Sequence, residues 1–254
     1  MNDQKGSLNE RIIDFDGTSN FRDLGGIPTP SGDTRYGVLF RSDRLSNLSA
    51  ADGERLRELG IATIIDMRSP EERKRAPNRL SPESGANQLA RAFLPRDTLN
   101  MFNAINAGEY DAAASYDAMI RQYHALAIEH TLDYGRIIDD LIEPAAAPAI
   151  FHCTSGKDRT GMIAAIILLA LNVPTDAITD DYAMTQGRIE KVDYFADTAD
   201  PDAIEIVMAA NPDYIQAAFH AMETEFGSIT LYLRDGVGLT SEKQQRLQDL
   251  LVNR

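Results

Sequence analysis

The stretch Ala149-Ile150-Phe151-His152-Cys153-Thr154-Ser155-Gly156-Lys157-Asp158-Arg159-Thr160-Gly161 decides how the chain is read. Ala149–His152 is a short apolar run that predicts a buried strand, and residues 159–171 predict a helix. Between them lies a small, polar, glycine-bearing loop. A strand that turns tightly into a helix can curl its N–H groups inward, and such a nest at a helix N-terminus holds a tetrahedral oxyanion. Gly156 permits the close curl, and Thr154, Ser155 and Lys157 complete the cradle. Cys153 is the only cysteine in the chain, so it forms no internal disulfide and is either packing or chemistry. At the bottom of the nest a thiol meets N–H dipoles and cations, which favour the thiolate. The planar fork of Arg159 can reach two oxygens of one phosphate. Thr160 can donate a hydroxyl hydrogen bond to the thiolate as it leaves, and His152 can fix the loop through the backbone.

Outward from this loop, strands alternate with helices. Residues 20–47 read as extended pieces joined by turns, with a strand at 38–40; a helix at 48–59 stops at Gly60. The β-branched run 61–67 predicts a buried strand, and Ser69-Pro70-Glu71 reads as a capped helix start. Residues 91–94 suggest another strand, 109–142 two helices, 175–226 a continuing helical pattern and 239–250 a last amphipathic helix. This is the order of an α/β domain with a mostly parallel central sheet flanked by helices, in which ligands bind beyond the carboxyl ends of the strands. No repeat, low-complexity tract or long linker interrupts residues 1–254, so one domain is expected.

Composition narrows the partners. A hydrophobic fraction of 43% and a charged fraction of 25% are those of a globular protein. The net charge of −14 argues against nucleic acid and against stable attachment to anionic membrane. An anionic substrate must therefore be drawn by a local positive pocket. The polar start MNDQKGSLNERIIDFDG lacks the apolar core of a signal peptide, and the longest apolar run, Met162–Leu171, is too short for a bilayer. A cytoplasmic location is expected, with export without a cleaved signal left open. The four histidines are scattered without ligand spacing, so no metal or cofactor is expected. A nucleotide-binding Walker loop fails because Asp158 follows Lys157 where Ser or Thr belongs, and Phe151 stands where the first glycine should be. Redox chemistry on the thiol lacks a second, resolving cysteine. Glu71-Glu72-Arg73-Lys74-Arg75 reads as a solvated helical face.

The run His-Cys-x-x-Gly-x-x-Arg-Thr-Gly resembles the signature of cysteine-dependent protein tyrosine phosphatases. With Lys157 and Asp158 inside the loop, the chain is most similar to the bacterial tyrosine and phosphoinositide phosphatases of broad specificity. The blocks Asn20–Gly26, Leu39–Ser42, Asp66–Arg68 and Tyr232–Gly236 extend the likeness over nearly the whole chain. The resemblance implies a phosphatase-like α/β fold and a phosphocysteine intermediate on Cys153, with Arg159 holding the phosphate. Phosphotyrosine, phosphoserine or phosphothreonine, and phosphoinositides are the substrates it implies. It also allows the helical stretch 184–226 to be a lid over the pocket as well as plain scaffold. Many relatives take their general acid from a mobile Trp-Pro-Asp loop, and this chain has no tryptophan. The resemblance favours Asp158 as the acid; Asp97, in Leu94-Pro95-Arg96-Asp97, is the alternative. Arg68 is expected among the substrate-binding residues. Arg22, Asp23 and Arg41 either line the pocket or brace the sheet ends. Lys157 is expected to add positive charge at the pocket mouth. The competing reading is a catalytically silent module that binds phosphopeptides or phosphoinositides; such modules normally lose the nucleophile or the acid, and this chain keeps Cys153, Arg159, Asp158 and Thr160.

Overall fold

The computed structural model describes residues 8–81, 84–95, 97–189 and 194–253. After a short 3-10 turn at Leu8–Arg11 come β1 (Arg22–Asp23), the small hairpin β2 (Pro28–Thr29) and β3 (Gly32–Asp33), and β4 (Leu39–Ser42). Next are α1 (Ala50–Glu58), β5 (Thr63–Asp66), α2 (Pro70–Arg75), β6 (Asn87–Ala90), α3 (Thr98–Asn106), α4 (Ala112–Glu129) and α5 (Thr131–Leu141). Then follow β7 (Ala149–His152), α6 (Asp158–Ala170), α7 (Thr175–Ala183), α8 (Pro201–Met208), α9 (Pro212–Phe226), the single turn α10 (Ile229–Leu231) and α11 (Ser241–Leu251).

The sheet has the order β1-β4-β7-β5-β6, parallel except for β1, which runs antiparallel to β4. This is the mostly parallel α/β architecture expected from the alternation of strands and helices. Side chains alternate between its two faces. Phe40, Ile64 and Ile150 join one apolar cluster with Leu56 of α1, whereas Leu39, Ile65, Ala149 and Phe151 join the larger one around α6. Burial on both faces explains why these strands read as unbroken apolar runs. α6 is the central helix, buried at every residue from Arg159 to Ala170. No helix among the described residues is long and apolar enough to cross a membrane.

The capped start at Ser69 forms as expected: its side chain accepts from the Glu72 amide, the Glu72 carboxylate returns to the Ser69 amide, and Pro70 opens α2. Two expectations shift. The strand placed at 91–94 lies instead at β6, where pairing with β5 ends at Asp66 opposite Ala90; only the Arg91 amide carries the ladder one bond further. The helical pattern over 175–226 is interrupted between Ala183 and Pro201, where Gly187 takes a positive φ of 75° and Pro201 restarts a helix.

Register brings the site together. His152 at the end of β7 lies level with Ser42 of β4 and Asp66 of β5. The residues that follow these three strand ends therefore converge at one edge: Asp43-Arg44, Met67-Arg68 and Cys153 with its loop.

Candidate active site

Loop 153–159 is held from outside by its carbonyls. The Thr154 oxygen accepts from the Arg44 amide at 3.0 Å, Ser155 from Asn20 Nδ2 at 3.2 Å, and Gly156 from Arg41 Nη2 at 2.8 Å. In a trans peptide the carbonyl and the next N–H point in opposite directions. With three carbonyls fixed outward, the amides of Ser155, Gly156 and Lys157 face the inside of the loop, and they find no acceptor among the described residues. Gly156 sits at φ +68°, and a Cβ there would come within 2.7–2.9 Å of Asn20, Asp43 and Ser42. Only glycine permits both the turn and the close approach. Cys153 lies buried where the loop begins.

His152 is fully buried, with Nδ1 3.2 Å from the Cys153 carbonyl. Burial pushes its imidazole down to about 4 against the pull of Asp66, so it is neutral at pH 7. Thr160 is also fully buried, and its hydroxyl has no hydrogen-bond partner among the described residues.

Arg159 closes the front of the loop. Nη1 donates to Glu72 Oε2 at 2.8 Å and to the Met67 carbonyl at 3.1 Å, while Nη2 donates to Glu72 Oε1 at 2.7 Å. The Thr154 hydroxyl donates to the same Glu72 carboxylate. Burial alone would raise this carboxyl, but the Arg159 hydrogen bonds and charge hold it low, at about 2. Glu72 is not among the candidate site residues that the sequence offers, where 71–75 reads as a solvated face. The signal was Ser69-x-x-Glu72, a capping-box spacing that pins the start of α2 at the loop.

Behind the loop lies a buried cluster. Asp181 of α7 accepts from Arg11, from Arg22 Nε at 3.4 Å and from Arg41 Nη1 at 2.5 Å, all nearly inaccessible to solvent. Burial would raise the Asp181 carboxyl, and the guanidiniums together drive it far below the usual range. Arg22, with Arg41 and Arg11 close by, is lowered by burial and like charge to about 9. Arg22 and Arg41 thus brace the loop from behind. Asp23 accepts from the amides of Gly25 and Gly37 in a turn.

In front of the loop opens a cavity of about 430 Å³. Thr154, Ser155, Lys157, Asp158, Arg159 and Glu72 line its floor. Its walls are apolar: Leu94, Pro95, Leu99 and Phe102 on one side, Ile189, Tyr194 and Val207 on the other. The two sides meet where Phe102 stacks on Tyr194 at 5.3 Å. Arg44, Arg68 and Arg75 are the further cations of the lining.

Asp158 opens α6, lines the cavity and accepts a hydrogen bond from the Tyr123 hydroxyl at 2.8 Å. Asp97 is exposed, outside the cavity lining, and held by Asn100 Nδ2 at 3.3 Å. Lys157 does not stand at the mouth. It is 2% exposed and turns its ammonium to the carbonyls of Val207 and Ala209 at the end of α8, with Asp158 Oδ1 3.4 Å away. Arg68 touches the cavity wall, yet its guanidinium is engaged by both Asp66 oxygens, the Ala76 carbonyl and Asn78.

A mostly parallel α/β sheet whose strand ends carry an inward-facing amide loop between Cys153 and Arg159 has the arrangement of a phosphatase. The model of the tyrosine phosphatase family matches residues 13–253, so the chain belongs to that family. It is 30% identical over 239 residues to a Cupriavidus necator protein provisionally named a tyrosine-protein phosphatase, covering 88% of this chain and 83% of that one. It is 27% identical over 281 residues to the triple specificity protein phosphatase PtpB of Mycobacterium tuberculosis, covering 95% and 99%. Among solved structures, the catalytic domain of the PP-IP phosphatase SIW14 of Saccharomyces cerevisiae matches 75% of this chain and 91% of its own, with 18% identity and a TM-score of 0.36.

Proposed function

We propose that this phosphatase cleaves phosphomonoesters, phosphotyrosine foremost, through a phosphocysteine on Cys153. The observation that carries the reading is the outward anchoring of the Thr154, Ser155 and Gly156 carbonyls, which turns the amides of residues 155–157 toward a bound oxyanion. The Cys153 thiolate attacks phosphorus while the inward amides and Arg159 hold the equatorial oxygens, as fixed donors in a water-poor site do best. The bond from phosphorus to the leaving oxygen breaks, and that oxygen takes the proton of Asp158. Water then cleaves the S–P bond, with the unpartnered Thr160 hydroxyl free to donate to the departing sulfur. Asp158 is assigned the acid over Asp97 because it lines the cavity and Asp97 does not. His152 holds the loop at its first carbonyl, and Arg68 braces the wall. The apolar walls suit a phenyl ring better than a polyhydroxylated inositol, and residues 194–208 act as the cover on one side.

The test is turnover of p-nitrophenyl phosphate and of a phosphotyrosine peptide by the wild type and by Cys153→Ser. A hydroxyl in the nest stays protonated at neutral pH, so the variant should retain fold and phosphate binding and lose turnover by more than about 10³-fold. A Cys153→Ser enzyme within tenfold of wild type sinks the covalent mechanism. A wild type that binds phosphotyrosine without turning it over is a binding module instead.

A further inference from the structure

We propose that Tyr123, backed by Tyr182, is the positioning residue of the general acid, fixing one oxygen of Asp158 so that the other faces the leaving group. The proposal rests on the assignment of Asp158 as acid. Three helices contribute. Tyr123 on α4 donates to Asp158 Oδ1 at 2.8 Å, and its oxygen lies 2.7 Å from the hydroxyl of Tyr182 on α7. Both rings are buried, 0% and 1% exposed, and they meet edge to face at 5.9 Å. Tyr214 of α9 packs against Tyr123 at 5.7 Å and receives the Lys157 ammonium over its ring. The Tyr182 ring lies against Gly161 one turn into α6, where a Cβ would approach it to 3.0 Å. The pair of hydroxyls is thus packed against the first turn of the helix that carries Asp158.

A carboxyl acts as an acid only when its proton sits on the oxygen that reaches the leaving group. The structure takes Oδ1 out of contention: Tyr123 and the Lys157 ammonium, 3.4 Å away, both address that atom. Oδ2 has no hydrogen-bond partner among the described residues, on a side chain that lines the cavity. As the proton passes from Oδ2 to the leaving oxygen, negative charge grows on the carboxylate, and the Tyr123 hydroxyl bond strengthens with it. Burial holds both phenols far above their ordinary range, so they stay hydrogen-bond donors throughout the working pH. The titratable groups around Asp158 are Lys157 from its own loop, Tyr123 from α4, Tyr182 from α7 and Tyr214 from α9.

The experiment compares phenyl phosphate, whose leaving group needs a proton, with p-nitrophenyl phosphate, which needs it little, in wild type, Tyr123→Phe, Asp158→Asn and the double variant. Loss of one charge-assisted hydrogen bond should lower kcat for phenyl phosphate by about tenfold and for p-nitrophenyl phosphate by under about twofold. KM should hold in both cases. On the Asp158→Asn background Tyr123→Phe should add nothing. An equal loss on both substrates, or the same loss on that background, assigns Tyr123 to structure and overturns the proposal. An Asp158→Asn enzyme without leaving-group-dependent loss overturns the acid assignment first, and the proposal with it. Tyr182→Phe, which keeps the Tyr123 bond, should give the same pattern at smaller size. If Tyr123→Phe fails to fold, an unchanged leaving-group dependence in Tyr182→Phe overturns the proposal.

Discussion

Behind the 153–159 loop a chain of buried polar contacts runs back to Asp181, and in front of it the walls touch mostly through apolar side chains. On the rear side, Arg41 joins the Gly156 carbonyl to Asp181, Arg22 joins Asp181 to Asn20, and Asn20 returns to the Ser155 carbonyl. On the front side, α3 meets the segment before α8 through the stack of Phe102 on Tyr194 and the edge contact of Phe102 with Phe195. Asn106, bonded to the Tyr194 carbonyl and the Ala196 amide, supplies the polar clasp there. The two regions do different work. On the proposed mechanism the rear fixes where a phosphate's oxygens must go, which tolerates no slack. On the same reading the front decides what is attached to that phosphate, and apolar surfaces can vary in shape without leaving a buried charge unpaired.

Breaking the rear should cost most. Asp181→Ala leaves the guanidiniums of Arg11, Arg22 and Arg41 in the interior without their shared carboxylate. Removing one partner of a buried ion cluster costs about 3–5 kcal/mol, and urea unfolding should show a loss of that order. A loss under about 1 kcal/mol would mean that the cluster is hydrated and the comparison false. The buried His152 comes next. Its folded pKa of about 4 lies below its unfolded 6.5, so the unfolded chain takes up a proton first as pH falls. Its contribution is complete above pH 6.5 and is lost on descent toward pH 4, by roughly 2–3 kcal/mol. Urea midpoints of wild type should drop more steeply than those of His152→Gln from pH 6.5 downward, the remaining fall of the variant near pH 4 belonging to depressed carboxyls such as Glu72 and Asp181. Parallel slopes would show that the imidazole is solvated.

Glu72→Gln tests the border between the two regions. Gln keeps the cap on α2 but removes the charge that squares the Arg159 fork to the loop. The expected result is a fall in kcat of about 10–100-fold with a much smaller change in stability. An unchanged kcat would mean that bound phosphate orients Arg159 unaided. Phe102→Ala, in the front wall, should change least: KM for a phosphotyrosine peptide up by about threefold, the size of a partly buried apolar contact, with kcat steady. A collapse of kcat there would place the wall in the chemistry.

The loop itself is plain in the sequence, whereas the side chains that brace it from behind or wall it in front are mostly not, for a physical reason. Cys153, Arg159, Gly156 and His152 carry chemistry or backbone geometry that few residue types can supply, so their pattern is readable at fixed spacing. Strands buried on both faces also read plainly as apolar runs. Asp181, Tyr123 and Tyr182 act only through neighbours distant in the chain, on helices whose own patterns look ordinary, and no local spacing announces them. Glu72 lay in between: its capping role was local and legible, whereas its grip on Arg159, 87 positions away, was not. Lys157 shows the converse. A lysine in an anion-binding loop suggested a charge for the substrate, and only the packing of α8 over it turned the ammonium to the Val207 and Ala209 carbonyls.

The Asp181 cluster also sets the order in which the site can come into being. Its carboxylate lies 170, 159 and 140 residues along the chain from Arg11, Arg22 and Arg41. Contacts so far apart in sequence are closed late, because the loop entropy must be overcome before they give anything back. During synthesis the loop at 153–159 leaves the ribosome well before its counter-charge does. A nascent chain can therefore carry its nucleophile, its arginine and most of its sheet and still lack the carboxylate that holds Arg41 against the loop. On the proposed mechanism, competence for phosphate thus arrives with α7, once Asp181 has met Arg41 and Arg41 is held against the Gly156 carbonyl.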